Sequence, residues 1–402
     1  MRILFVTPYI PSVVRVRPYN FIRALAAQGH SIRLVALRPP EDREAPIDEL
    51  RQACAHVDVF PLSRFRTLLN ALAALPTRLP LQAAYSHHPK AEAHLRRLVA
   101  TGQYDVLHVE HLRGAVLAGR LNRIPRVWDS VDSIAFLFEQ TRRHAPRLRQ
   151  RLIARFELGR TRRFEARAPL QFDQTLVTSP ADAEAIRHLA SRQLNGRIAI
   201  IPNGVDLDHF TPGSPAAANL PVVLFSGKMS YHANSAAALY LAHEIMPRIW
   251  AACPDARLLI VGKDPTAAIR ALADDPRVTV TGTVADIRPH LQRATLAVAP
   301  MLYGAGIQNK VLEAMACGLP IVATPIVCHS LKVTPEQDIL LGDNPDQLAN
   351  QSLRLLREPT LRHSLGLAGR RYVEQHHQWP EIVRHLVRVY ETARQLDLTA
   401  AT

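Results

Sequence analysis

The feature that most constrains this chain is an alternation of short apolar runs with longer amphipathic stretches, repeated along all 402 residues. The first set is Arg2–Thr7, Ser31–Leu37, Val57–Pro61, Asp105–Val109, Arg126–Asp129, Gln174–Thr178 and Arg197–Ile201. The second is Pro221–Ser226, Ala256–Val261, Val278–Thr281, Leu296–Ala299, Pro320–Ala323 and Asp338–Leu341. Strands that are apolar nearly throughout are covered on both faces, the condition of a parallel sheet between two helix layers. Helical patterns fill the gaps, among them Tyr19–Gln28, which stops at Gly29, and three near the end: Asp346–Arg357, Thr360–Gln375 and Glu381–Leu396. Between the two sets, Pro202–Leu220 carries Pro202, Pro212, Pro215 and an Ala-rich end, the texture of a linker. The chain is also too long for one ordinary core. These observations predict an α/β protein of two Rossmann-like, doubly wound domains, residues 1–201 and 221–378, facing across a cleft, with a ligand at the C-terminal strand ends.

Charge divides the chain the same way. Residues 1–170 hold 28 basic and 14 acidic side chains, an excess equal to the net charge of the whole chain, +14. The second half is neutral, so the first half carries whatever the charge is for. Four cysteines without a C-x-x-C pair point to reduced thiols rather than a disulfide framework. No stretch is apolar for the ~18–20 residues of a membrane span. The opening Met1–Pro8 is interrupted by Pro8 and Pro11 and reads as a first buried strand rather than a signal peptide. A cytoplasmic protein is expected, peripheral at the inner face of a membrane.

The most informative segment is Ala299–Thr324, APMLYGAGIQNKVLEAMACGLPIVAT. A strand ends at Pro300, the turn Gly304-Ala305-Gly306 opens a helix, Gly318 stops it, and a strand restarts at Pro320. Glycines ahead of a helix let backbone N–H groups approach an anion, and the helix N-terminus adds partial positive charge. Lys310, one turn into that helix, is placed to reach a diphosphate. Glu313 follows three residues later on the same face, where a carboxylate suits the two hydroxyls of a ribose. Spacing alone leaves a second account open, a surface ion pair beside an ordinary turn.

This segment resembles the donor-binding signature of glycosyltransferase family 4, in which a glutamate precedes A-M-A-C-G-x-P-V-V-A-T and binds the nucleotide ribose; Glu313 is the matching residue. Ile200–Phe210, IIPNGVDLDHF, resembles that family's crossover between domains. Val222–Gly227 resembles the strand and glycine turn opening its second domain, and Thr178–Asp182, TSPAD, a strand-end serine motif late in its first. The motif GIQNKVLEAMA is similar to bacterial members associated with exopolysaccharide synthesis. The resemblance implies the GT-B fold, with residues 379–402 a helix returning to the first domain. It also implies metal-independent, configuration-retaining transfer from a UDP- or GDP-linked sugar to a glycan or lipid-linked acceptor. Gly227, Lys228, Gly304, Ala305, Gly306, Ile307, Lys310 and Glu313 are then the donor-binding candidates.

The chain departs from the family in three places. A second family glutamate, eight positions before Glu313, is Ala305 here, leaving the N–H groups of Gly304 to Ile307 to serve the sugar. Of an arginine–lysine pair after the glycine turn, Lys228 keeps the first cation, but Ala233 stands at the second; Lys310 is the candidate replacement. The N-terminal glycine-rich loop of many members is replaced by Tyr9–Arg17, YIPSVVRVR, where Arg15 and Arg17 either meet a phosphate or remain solvated. Catalytic candidates in the first domain are Asp129 and Asp132, at the end of RVWDSVD, and His111, just after VLHVE. Helix capping and plain packing are the alternatives for them.

Ten arginines lie between Thr141 and Arg167, interleaved with Leu148, Leu152, Ile153, Phe156 and Phe164, and the apolar stretch Leu68–Leu81 is flanked by Arg64, Arg66 and Arg78. Such a surface suits an anionic bilayer, at ~1 kcal/mol per basic residue near it. A solvated helix made Arg-rich by coding bias is the other account. No nucleic-acid reader motif accompanies the charge, so nucleic acid is not an expected partner. Two competing functions share the fold: a nucleotide-sugar epimerase, and a catalytically silent membrane-bound subunit, the latter motivated by Ala305 and Ala233.

Overall fold

The computed structural model describes the chain apart from residues 43–46, 120, 146, 191–193, 195, 214–220 and 402, and the side chains of 41 and 397–401. The Ala-rich end of the expected linker, residues 214–220, lies outside the described residues. The chain forms two compact units, one of Met1–Glu139, Leu152–Asn203 and Trp379–Thr402, the other of Gln140–Arg151 and Gly204–Gln378.

Up to the crossover the elements run β1 (Arg2–Thr7), α1 (Val16–Ala27), β2 (Ser31–Arg38), α2 (Asp48–Ala53), β3 (His56–Pro61), α3 (Arg64–Ala74), α4 (Leu81–Ala84), α5 (Pro89–Ala100), β4 (Val106–Glu110), α6 (His111–Ala118), β5 (Arg126–Val131), α7 (Ile134–His144), α8 (Leu148–Arg167), β6 (Gln174–Val177), α9 (Pro180–Ala190) and β7 (Ile198–Ile200). After it come β8 (Val222–Ser226), α10 (His232–Tyr240), α11 (Met246–Ala252), β9 (Arg257–Val261), α12 (Ala267–Arg270), β10 (Val278–Val280), α13 (Arg288–Arg293), β11 (Leu296–Ala299), α14 (Asn309–Ala316), β12 (Ile321–Ala323), α15 (Pro325–Cys328), β13 (Leu340–Leu341), α16 (Pro345–Arg357), α17 (Pro359–His376) and α18 (Trp379–Ala401).

The first unit holds a seven-stranded parallel sheet in the order β3-β2-β1-β4-β5-β6-β7. The central strand shows why its sequence is apolar throughout. Ile3 and Phe5 face one core with Phe21 and Ile22 of α1 and Val383, Leu386 and Tyr390 of α18. Leu4 and Val6 face the other core, with Leu95 of α5 and Leu112 of α6. Alternate side chains thus enter opposite layers, and neither is exposed. Helix α18 therefore belongs to the first unit although it follows the second.

The second unit holds a six-stranded parallel sheet, β10-β9-β8-β11-β12-β13, inside one continuous apolar core. In both sheets the strand order reverses beside the first strand, between β1 and β4 and between β8 and β11. Helices leave the sheet in opposite directions on either side of such a point, which opens a crevice at the C-terminal strand ends. The last strand is shorter than the apolar run Asp338–Leu341. Thr334 N donates to Asp338 Oδ2 at 2.8 Å and Glu336 takes φ +63°, so the segment before Leu340 is a turn.

Candidate functional site

In the second unit the residues around the β8/β11 switch point converge on one place. β8 leads into Gly227 and Lys228, and β11 into the turn Met301–Gln308 that opens α14. Thr324 Oγ1, at the end of β12, donates to the Met301 carbonyl at 2.7 Å and fixes the start of that turn. Tyr303 is fully buried, and His232 of α10 stacks on its ring and shares a 3.0 Å hydrogen bond with its hydroxyl. Gly227 and Gly262 adopt φ +147° and +145°, and their backbones touch. A Cβ on Gly262 would lie 1.8 Å from the Gly227 carbonyl oxygen, and one on Gly227 would lie 2.8 Å from Asn234 Nδ2. Only residues without a side chain fit there.

The start of α14 is short of negative charge. Its N-cap residue, Gln308, makes no side-chain capping bond, and no acidic residue occupies the first turn. The N–H groups of Gly304, Ala305, Gly306, Ile307 and Gln308 donate to no group among the described residues. Lys310, the second residue of the helix, adds positive charge where the dipole is already positive, an arrangement that favours an anion there. Its ammonium makes no ion pair among the described residues. It donates to Asn234 Oδ1 at 2.5 Å, to Gln308 Oε1 at 3.5 Å, and lies 5.0 Å above the Phe225 ring. Burial pulls it down to about 7, against a smaller upward pull from Glu313. Glu313, half-buried on the same face, makes no side-chain hydrogen bond among the described residues; burial pushes its carboxyl up to about 7, opposed by Lys310. The surface ion pair that spacing left open is therefore not what forms.

Asn234 is the residue that sequence reading missed. Its Oδ1 accepts from Lys310, and its Nδ2 donates to the Lys228 carbonyl at 3.0 Å. One amide thus ties the glycine turn to a lysine 76 positions away. It directly follows Ala233, so a buried amide stands next to the missing cation; an amide in the first turn behind a glycine turn was the only available signal. Lys228 itself is half-exposed, with a loose 3.8 Å contact to Asp264.

In the first unit the strand-end residues sort differently. Arg17, a candidate either to meet a phosphate or to remain solvated, and Asp129, a candidate either for catalysis or for helix capping, are buried against each other instead, with Arg17 Nε to Asp129 Oδ2 at 2.7 Å and Nη2 to Oδ1 at 3.2 Å. Arg17 Nη1 also donates to the carbonyl oxygens of Ile201 and Pro202 and to Asn203 Oδ1. Asp129 Oδ1 further accepts from Val131 N, whose φ of +68° is strained for a β-branched residue. The pair anchors the chain leaving β7 to the end of β5, which uses both charges in full. Asp132 accepts from Thr178 Oγ1 at 2.9 Å, and burial together with Asp182 pushes its carboxyl up to about 7.

His111 begins α6 with φ +62°, a conformation uncommon outside glycine that tends to mark functional strand ends. Its Nδ1 accepts from Arg113 N, and burial, then Arg113 and Arg15, hold the imidazole neutral, down to about 3. Arg15 lies half-buried over the Tyr9 ring at 4.4 Å and forms no ion pair among the described residues. Tyr9 in turn donates to Glu110 Oε1 at 2.8 Å.

Size alone does not locate chemistry here. A cavity of about 820 Å³ in the second unit opens at the opposite end of the sheet, where Pro221, Thr295 and Pro320 precede β8, β11 and β12, and its wall includes the residues flanking the undescribed segment.

Two family models match the chain, Glycosyltransferase Family 4 over residues 14–209 and Glycosyl transferases group 1 over residues 220–358. The chain is 28% identical, over 48% of its length, to the GDP-mannose-dependent monoacylated alpha-(1-6)-phosphatidylinositol monomannoside mannosyltransferase of Corynebacterium glutamicum, and spans about half of that relative, 55%. It is 22% identical over 98% of its length to the phosphatidyl-myo-inositol mannosyltransferase of Mycobacterium leprae, covering 97% of it. Among solved structures it resembles a sucrose-phosphate synthase from Thermosynechococcus elongatus, with a TM-score of 0.73, 21% identity and full coverage of both chains. HepE of Anabaena in complex with UDP and glucose matches with a TM-score of 0.67 and 17% identity over 98% of this chain and all of that one. At these identities the structural likeness speaks for the fold.

Proposed function

Because this chain belongs to the glycosyltransferases, its first half to Family 4 and its second to group 1, we propose that it transfers a sugar from a UDP- or GDP-linked donor to a glycan or lipid-linked acceptor. The observation that carries this reading is the start of α14, where five undonated N–H groups, a helix N-terminus and Lys310 gather positive charge without a counter-ion. A diphosphate supplies what is missing, and Glu313 one turn on accepts from the ribose hydroxyls. Asn234 holds Lys310 at the helix start and is itself fixed to the Lys228 carbonyl at the β8 turn. As the nucleoside diphosphate leaves, these same groups stabilise its growing charge, which lowers the barrier without a general base.

Ala305 presents an N–H rather than a carboxylate to the sugar. On the first unit, Arg15, His111 and Asp132 are the candidates for acceptor contact, and Arg17 and Asp129 act by shaping the end of the sheet. We read the transfer as retaining and independent of a metal ion. The acceptor belongs to an exported or cell-surface polysaccharide, and the enzyme is peripheral at the cytoplasmic face of a membrane. The lipid acceptors named for the mannosyltransferase relatives and the basic first unit support that placement, and no described helix is long and apolar enough to cross a membrane.

The test is a turnover assay with UDP- and GDP-sugars, with and without lipid-linked acceptor, in EDTA, with the anomeric configuration of the product read by NMR. Transfer with the donor's configuration kept is expected. Epimer formation, or nucleotide binding without turnover, would replace this reading by one of its two competitors.

A further inference from the structure

Helix α3 is amphipathic the wrong way round for a helix packed on its own domain. Phe65, Leu68, Leu69, Leu72 and, just past its end, Leu75 recur at helical spacing, yet each is between 45% and 71% exposed. Its buried residues are Thr67 and Ala74, and Asn70 Nδ2 donates to the carbonyl oxygens of Tyr85 and His87. The polar side is therefore fastened inward and the apolar stripe points to solvent, the reverse of the usual arrangement.

A second apolar strip lies alongside, where Leu152, Ile153 and Phe156 of α8 are each at least half exposed. Arg160 joins the two. Its guanidinium donates to the carbonyl oxygens of Ala74, Leu75 and Leu79 at the end of α3 and stacks on Phe156 at 4.7 Å. The two apolar strips thus meet across the Arg160 guanidinium, an exposed apolar grouping of the kind that marks an interaction surface.

Its charge is all of one sign. Residues 62–81 contain no acidic side chain, and the two in 152–167, Glu157 and Glu165, are buried. Arg64, Arg78, Arg155, Arg163 and Arg167 are exposed around the strip. A second copy of the same surface would bring these arginines together, and a neutral protein partner would leave them unanswered.

We propose that α3 and the exposed face of α8 from Leu152 onward form a bilayer-docking surface, the apolar stripes entering the acyl boundary and the arginines meeting anionic headgroups. An anionic bilayer answers both properties at once. The inference specifies the membrane association within the proposed function and rests on that reading only for its place in the reaction.

The experiment is flotation of the full chain with phosphatidylcholine vesicles made with and without phosphatidylglycerol. Wild type is expected to float with the anionic vesicles and much less with the neutral ones. Leu68→Glu with Leu72→Glu is expected to weaken partitioning at least ~10-fold at any salt. Arg155→Glu with Arg163→Glu should weaken it ~10-fold or more at low salt and less at high salt. All four positions are exposed, and circular dichroism with thermal unfolding of each variant reports whether the first unit, which carries them, stays folded independently of lipid. Binding that ignores lipid charge, or survives both double variants, overturns the proposal. A wild-type dimer that Leu68→Glu with Leu72→Glu dissociates, with no vesicle binding, also overturns it by naming a second copy as the occupant. If transfer to a water-soluble acceptor fails while flotation behaves as expected, the proposed function falls and the docking surface stands.

Discussion

Replacing Lys310 by methionine should make the second unit more stable and its nucleotide binding worse. The ammonium makes no ion pair among the described residues, sits beside a helix N-terminus and is drawn from 10.5 to about 7 by burial. Taken alone, such a fall corresponds to ~4–5 kcal/mol of unfavourable solvation. Its residual exposure, its coupling to Glu313 and the loss of the bond to Asn234 reduce the net gain of Lys310→Met to ~1–2 kcal/mol. The melting temperature of the apo protein should then rise by ~2–6 °C.

Binding should move the other way. A bound diphosphate requires the charged lysine and raises its pKa, so affinity is level below about pH 7 on this account and falls up to ~10-fold per pH unit above it. Glu313 must be ionised to accept from ribose hydroxyls, so affinity also falls below about 7. Wild type should therefore bind UDP or GDP best near neutrality, with limbs belonging to the pair rather than to either residue. Lys310→Met should erase the alkaline limb. It should also shift the acidic limb upward, since Lys310 is what holds the Glu313 carboxyl down. Calorimetric titration between about pH 6 and 9, with thermal unfolding of the apo proteins, reads all of this. A Met variant that melts lower and binds nucleotide as before would show that Lys310 is a structural lysine and that the anion site lies elsewhere.

Gly262→Ala should destabilise the second unit by ~3 kcal/mol or more in denaturant titration and abolish nucleotide binding, because its Cβ would overlap the Gly227 carbonyl at 1.8 Å in a backbone region closed to alanine. Asp129→Asn, which leaves Arg17 buried without its counter-charge, should cost ~3–5 kcal/mol, whereas the joint change Arg17→Met with Asp129→Leu should cost less than the two singles summed. Glu165, which accepts from Ser133 Oγ and from the N–H groups of Ile134 and Ala135, is pushed up to about 7 by burial, as Asp132 is by burial and Asp182. Both hold protons in the folded state that the unfolded chain has already released, so stability of the first unit should fall as pH rises from about 4 to 7 and level off above that; Glu165→Gln should flatten that slope by about one proton.

The sheets were legible because parallel strands are buried on both sides, and the apolar runs ended close to where the hydrogen-bond ladders end. Legibility failed where a local cue competed, as at β13, whose apolar run a side-chain turn at Asp338 cuts short. The arrangement of Gly304 to Glu313 was legible because these donor-binding candidates lie within one continuous segment whose spacing already sets their geometry; Gly227 and Lys228, the other two, join them only through the fold. The first unit was not, because its charges find partners far away in sequence. Arg17 and Asp129 each look like ligand-binding residues in isolation, and 112 positions separate them, so nothing local reveals that each satisfies the other. Asn234 is the mirror case, an unremarked amide whose importance comes entirely from a lysine on another helix.

Helix α18 gives the two halves different histories during translation. All seven strands of the first sheet have left the ribosome by residue 200, but one face of that sheet waits for Val383, Leu386 and Tyr390. At ~5–20 residues per second this is a delay of ~10–35 s. Within it, the whole stretch Gly204–Gln378 emerges and can collapse onto its own core. The first sheet is thus synthesised before the second unit but covered after it, and one of its faces stays open in the interval.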